Sequence, residues 1–285
     1  MTLDENTLLA FKQLQKLVFN SFEKIADNVY AGMDEQMAAQ LISQELSHQG
    51  ITRYFHRPFV WFGERSRFLN FKRPLHITGF ELPHLGQEFL PTKKKLAQGM
   101  SVIFDVAPIY HDLMIDIGHS FIFDKSENSQ QKNEALALLP VLRKMILELV
   151  LQEKSMGEIY RKLDSFLTAI NYENVHSLYP LGVLGHQVEK LPALFLSSLI
   201  PKVALMGFEF PAYAQLARQK IRHLNKIKTS SPFWTKNSLD RPCVGLWAIE
   251  PHIARGQVGV KFEELLVIKE NTAYWLDDTL PHVRY

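Results

Sequence analysis

The stretch SVIFDVAPIYHDLMIDIGHSFIF, residues 101–123, decides the fold. Its ends, SVIFDVAP (101–108) and IDIGHSFIF (115–123), are short, apolar and rich in β-branched side chains, with a turn-like HDL between them. That pattern predicts a hairpin or two adjacent strands. Each strand carries one aspartate, Asp105 and Asp116. A carboxylate is disfavoured inside a strand and costly to bury without a partner, so the pair asks for compensation.

Before this hairpin the first 50 residues read as two helices. Phe11, Leu14, Val18, Phe22, Ile25 and Val29 recur at helical spacing, and Gly32 breaks the run. Asp34 is a cap for a second helix that ends at Gly50. HRPFVWF (56–62) reads as a strand, and 72–99 as mostly loop. After the hairpin, SENSQQ (126–131) is a polar helix start, and 132–152 and 155–170 give two amphipathic helices. Residues 181–188 are a short strand. The segment 191–240 is apolar, then basic (ARQKIRHLNKIK), then rich in Ser, Pro and Asn. It reads either as a lid or dimer arm, or as a solvated surface helix. From 243 the chain returns to strands in CVGLWAIEP, VGVKFEELLVIKE and TAYWLDD. Helices, strands, helices, strands is an α+β plan, with helices packed over an antiparallel sheet.

Composition narrows the function classes. The 285 residues suit one large domain, 1–285, with an insertion near 195–240. A formal net charge of +2 gives no electrostatic argument for nucleic acid or an anionic membrane. Residues 1–10 carry acids without a basic leader, and Pro201-Lys202 interrupts the most apolar long stretch, 191–210. A cytoplasmic setting without a membrane partner is expected. The single cysteine, Cys243, has no partner for an internal disulfide and reads as a buried structural thiol.

Four acids lie inside separate apolar strands: Asp105, Asp116, Glu250 in LWAIEP and Glu263 in VKFEELLVI. His186 follows Gly185 in VLGHQV. Any one acid alone reads as an exposed strand face or a paired surface group. The set together calls for a buried multivalent cation.

The order Asp, Asp, His, Glu, Glu, each in a strand, resembles the metallopeptidases of the methionine aminopeptidase, Xaa-Pro dipeptidase (prolidase) and creatinase type. Asp105 and Asp116, eleven apart with Phe121 five further on, look like that family's paired-aspartate hairpin. LGH186 looks like the end of its glycine-histidine motif, AIEP its Glu-Pro turn, and GVKFEE its penultimate strand. GMDEQMAAQLISQELSHQG is similar to its second helix, and LDDTLPH to its closing segment. The resemblance implies a pita-bread fold of two similar halves, without a creatinase-type amino-terminal domain.

It also implies a site of two divalent ions on Asp105, Asp116, His186, Glu250 and Glu263. Asp116 and Glu263 would bridge, Asp105 would hold one ion, and His186 with Glu250 the other. One imidazole with four carboxylates favours Mn, Fe or Co, with Zn also accommodated. Glu250 resembles the family's proton shuttle.

The family's two substrate histidines are missing. Asn70 and Ala193 stand at their places, and Gly182, next to Leu181, stands where prolidase-type enzymes keep another. His176 is the candidate catalytic replacement, at the pocket mouth, with His111, His119 and His252 as further candidates. The resemblance thus implies a dimetal hydrolase of the aminopeptidase or Xaa-Pro dipeptidase kind, acting on a small peptide, with a homodimer as one arrangement. Two other readings stand beside it: a dimetal enzyme of another reaction type on a non-peptide small molecule, and a non-catalytic metal-binding relative.

Overall fold

A computed structural model describes residues 4–69, 71, 75–77, 80–82, 88–123, 130–179, 182–191, 204–205, 207–209, 212, 221 and 231–284. Asn70, Leu181, Ala193 and most of the segment at 195–240 lie outside the described residues.

Two helices open the chain, α1 (Glu5–Ala26) and α2 (Glu35–His48). α1 buries Phe11, Leu14, Val18, Phe22 and Ile25, the stripe its spacing predicts. Its cap, Asp4, accepts from the Thr7 N–H at 2.7 Å, and Asp34 caps α2 through the Met37 N–H at 2.9 Å. The first sheet follows: β1 (Arg53–Phe62), β4 (Met100–Tyr110), β5 (Leu113–Met114), β6 (Ile117–Phe123), β9 (Ala204–Leu205) and β10 (Phe208–Glu209). A small hairpin, β2 (Leu75–Ile77) and β3 (Phe80–Leu82), stands apart within the region expected as loop. β4 lies between β1 on one edge and β5 and β6 on the other, all antiparallel.

Helices α3 (Gln130–Leu151) and α4 (Met156–Ala169) come next, the latter started by a Ser155/Glu158 capping box. The second sheet runs in the order β11 (Phe233–Thr235), β8 (Val183–Val188), β12 (Gly245–Ile249), β15 (Glu264–Ile268) and β16 (Ala273–Trp275). A third, of β14 (Val258–Lys261), β13 (His252–Arg255) and β7 (Glu173–Asn174), contains a tight hairpin within PHIARGQVG, residues 251–259.

One apolar cluster joins α1 and α2 to the first sheet and to inner residues of β12 and β15. A second joins α3 and α4 to the opposite faces of β12, β14 and β15. The result is α+β, a pita-bread fold in which each half lays two helices over antiparallel strands. The halves meet at a bridge between Gly118 and Glu263, which exchange hydrogen bonds of 3.2 and 2.9 Å. Among the described residues no helix is long and apolar enough to cross a membrane. Cys243 is only half-buried; its sulfur accepts from the Gln187 amide at 3.4 Å.

Candidate metal centre

The strand pairings carry the five expected residues to one place. Asp105 in β4 is paired with Gly118, two residues past Asp116. Gly118 bridges to Glu263, the residue before β15. His186 in β8 is paired with Ala248 in β12, and Glu250 follows the end of that strand. Gly185 has a local reason: a Cβ there would lie 2.5 Å from the Ala248 carbonyl oxygen, so only glycine lets β8 and β12 close beside His186. All four carboxylates are buried.

Two further side chains complete the cluster. Lys261 is wholly buried, and its ammonium donates to Asp105 Oδ2 at 2.7 Å, Glu263 Oε2 at 2.9 Å and Glu250 Oε2 at 3.2 Å. Its Nζ also lies 5.0 Å from the Tyr179 ring centroid. His56 places Nε2 3.0 Å from Asp116 Oδ1 and 3.4 Å from Asp105 Oδ1. On the other side, His186 Nε2 lies 3.5 Å from Asp116 Oδ2 and 3.8 Å from Glu263 Oε1. Asp116 therefore turns one oxygen to each imidazole.

Lys261 and His56 were not foreseen, for different reasons. Lys261 stands two residues before Glu263, and period two puts both on one face; a lysine in a strand reads by default as solvent-facing. His56 is hidden by backbone geometry. The β1–β4 register slips between Tyr54 and His56 and again between His56 and Phe59. These irregularities bracket His56, and the second spans Arg57-Pro58, where proline supplies no ladder donor. His56 and Phe59 are three apart, so strict alternation sends them to opposite faces. The bulge brings them to the same one, with rings stacked at 4.6 Å and 4°.

Charge explains the titration of the metal-free cluster. Burial works against the His56 cation, but the Asp116 and then Asp105 carboxylates outweigh it and raise the pKa to about 9. Lys261 is likewise held well above its ordinary value against burial, by Asp105 and Glu263, and His186 is raised against burial by Asp116. Burial would raise Asp116, yet His56 and His186 hold it low. Four carboxylates then face Lys261, His56 and His186. Burial pushes Glu250 up to about 7, despite Lys261 and with Asp116 adding to the push. Glu263 goes well up for the same reasons, burial first and then Asp116 and Glu250.

The donor set fits divalent cations. One ligand atom each from His56, Asp105 and Asp116 lies within 4.8 Å of the others, and the same holds for Asp116, His186 and Glu263. The two groups share Asp116. Asp105 Oδ1 and Glu263 Oε1 are buried without a hydrogen-bond partner among the described residues, a state that ordinarily costs free energy. Lys261 takes only the other oxygen of each. Divalent ions at the two groups would engage these oxygens and displace the cluster's extra protons.

The histidines expected to replace the missing substrate groups are held by other partners. His176, expected at the pocket mouth, is wholly buried; its Nδ1 lies 3.3 Å from the His252 carbonyl oxygen and its ring meets Tyr160 edge-on. Burial pushes its pKa down to about 3. His252 is fixed between the Tyr179 hydroxyl, 2.9 Å from Nδ1, and the Ser66 carbonyl, 2.6 Å from Nε2. His119 is packed among Phe19, Phe22 and Phe121, and the His111 ring lies against Tyr110. Gly182, at φ +58°, leaves its position without a side chain.

A pita-bread fold with a buried carboxylate–imidazole cluster at the meeting of its halves defines a metallopeptidase-like class. The chain belongs to metallopeptidase family M24, whose sequence profile matches residues 10–197, more than half of its length. That range includes Asp105, Asp116 and His186. A search of the curated proteins returns no match. Among solved structures, an X-Pro aminopeptidase from Thermotoga maritima aligns with TM-score 0.64 and 18% identity, covering 98% of this chain and 62% of that one. Dipeptidase PepE from Mycobacterium ulcerans aligns with TM-score 0.64 and 14% identity, over 98% and 59%. A prolidase from Pyrococcus furiosus gives 0.57 and 17%, over 96% and 64%. The chain thus spans less than two thirds of these proteins, and at such identities the likeness is one of fold.

Proposed function

We propose that this chain is a dimetal-dependent hydrolase that cleaves a peptide or amide bond in a small substrate, in the manner of an aminopeptidase or Xaa-Pro dipeptidase. The observation that carries it is the pair of donor groups sharing Asp116, with Asp105 Oδ1 and Glu263 Oε1 buried and without a hydrogen bond among the described residues. Asp105, Asp116, His186, Glu250 and Glu263 would hold the ions. Bound there, divalent ions supply an activated water and polarise the scissile carbonyl. Lys261 fixes one oxygen of Asp105, Glu250 and Glu263, which sets the directions of the other oxygens before any ion arrives. Glu250 takes the proton released at the attacking oxygen and returns it to the leaving amine. The burial of the cluster excludes bulk water and strengthens every charge interaction within it.

A second reading is a dimetal enzyme of another reaction type acting on a non-peptide small molecule. It is favoured by Gly182, which offers no imidazole where prolidase-type enzymes carry one.

Metal content after reconstitution with Mn or Co tests the shared basis of both readings. Two ions per chain are expected, and fewer than one would overturn both and leave a non-catalytic relative. A panel of Xaa-Pro, Met-Xaa and other dipeptides then separates them. Turnover abolished by Asp116→Ala supports the peptidase. A metal-replete protein inert on every peptide refutes it in favour of the second reading.

A further inference from the structure

We infer that His56 is itself a metal ligand, a second imidazole that closes one of the two metal positions together with Asp105 and Asp116. The inference rests on the dimetal reading above and adds a residue to it.

The tautomer supports it first. His56 Nδ1 lies 3.0 Å from the Arg57 carbonyl oxygen. A carbonyl only accepts, so Nδ1 carries a proton and donates. In the neutral ring the lone pair is then on Nε2, the nitrogen that points at Asp116 Oδ1 and Asp105 Oδ1. An imidazole that gives its far N–H to a backbone carbonyl is the arrangement that orients histidine toward a metal.

Ring placement supports it next. Phe59 stacks flat on His56 and Phe208 meets it edge-on at 5.6 Å. Together with the bulges on either side they hold the ring plane, so Nε2 is aimed by the fold. The oxygens in front of it complete the case. Asp105 Oδ1 is buried, has no hydrogen bond among the described residues, and lies within ion-pair distance of Nε2. Asp105 Oδ2 is already taken by Lys261. A cation between Nε2, Asp105 Oδ1 and Asp116 Oδ1 satisfies all three. Without His56 this position would have only carboxylates. With it, the two positions match, each with one imidazole and the shared Asp116.

Cobalt-reconstituted protein tests this without relying on turnover. The proton spectrum of the unmutated Co(II) protein should show two hyperfine-shifted imidazole N–H resonances, one of them slow to exchange because His56 Nδ1–H is bonded to Arg57. His56→Phe and His56→Gln should each lose one resonance, change the visible Co(II) spectrum, and bind the second ion at least about tenfold more weakly. Thermal melts of the metal-free variants confirm folding. A single imidazole resonance in the unmutated protein overturns the inference even if neither variant folds. So does an unchanged spectrum and stoichiometry in a folded variant. Wild-type protein that takes up no cobalt refutes the dimetal reading itself, and with it the role of His56, a result distinct from two ions bound with His56 uninvolved.

Discussion

Glu263 and Glu264 are adjacent, are 1% and 0% exposed, and face opposite sides of the same strand region, yet they are partnered in opposite ways. Glu264 looks toward α3 and the carboxyl-terminal segment. Arg143 donates to both of its oxygens, and His282 Nε2 lies 2.8 Å from Oε1. Arg143 is completed by the Asp277 carbonyl and the Asp278 carboxylate, each at 2.9 Å. Glu263 looks into the cluster. Lys261 takes one oxygen, and the other has no hydrogen bond among the described residues, only His186 Nε2 at 3.8 Å. A buried carboxylate with both oxygens satisfied holds the fold together. One left half-satisfied beside three other carboxylates is stable only with an added cation or proton. Partner count, and not burial, separates the structural acid from the site acid.

Paired substitutions put this difference at risk. Glu263→Ala should remove metal binding almost entirely, at least about a hundredfold in affinity. It should change the stability of the metal-free protein little, because it thins a crowd of like charges and leaves Lys261 two carboxylates. Glu264→Ala should do the reverse. It strands Arg143 and His282 in the core, at a cost of about 3–5 kcal/mol, while the folded fraction keeps its metal. Urea melts and metal counts on both variants provide the check. Equal destabilisation with metal uptake intact in each would break the distinction.

A smaller effect sharpens it. Gly118 sits where the two halves of the cluster touch. A Cβ there would fall 2.7 Å from Lys261 Cε and 3.1 Å from Glu263 Cβ. Lys261 is pinned by three carboxylates and has little freedom to retreat. Gly118→Ala should therefore cost about 1–3 kcal/mol and weaken metal binding by disturbing the carboxylates that Lys261 orients. In a Lys261→Met background the penalty should shrink, a coupling that a double-mutant cycle on urea stability measures directly. Equal penalties in both backgrounds would mean that the clash is with something other than Lys261.

The carboxylate half of the cluster was legible in the sequence because acids embedded in apolar, strand-forming segments violate a strong preference, and violations that recur in order are informative. Of the four expected inside strands, only Asp105 is, while Asp116, Glu250 and Glu263 stand just outside strand ends. The hairpin at 101–123 and the cap at Asp34 were legible for similar local reasons. Glu263 was separated from Glu264 only by resemblance; nothing in FEELL says which glutamate faces Arg143. Lys261 was within reach of period-two reasoning from Glu263. His56 was not, because the Arg57-Pro58 bulge destroys the alternation such reasoning uses. His176, expected at the pocket mouth, is wholly buried, with tertiary packing setting its ring against Tyr160.

The smallest effect concerns the structural side, where His119 lies near the Glu264–His282 pair. Its ring is enclosed by Phe19, Phe22 and Phe121, and Nδ1 has no hydrogen bond among the described residues. Burial, aided by repulsion from His282, pushes its pKa down to about 3. The folded chain therefore holds this imidazole neutral while the unfolded chain takes a proton near its ordinary value of about 6.5. Because the unfolded state binds the extra proton first, stability is complete above about pH 6.5 and falls as the pH drops toward 3, by about 1.4 kcal/mol per pH unit for this one group. His119→Leu removes that contribution, so its stability should decline less steeply than wild type between pH 6.5 and 5, by about that slope. The difference between the two proteins isolates His119 from the carboxylates that titrate in both. Urea melts at pH 7, 6 and 5 measure it, and parallel declines would show that the ring is not buried neutral.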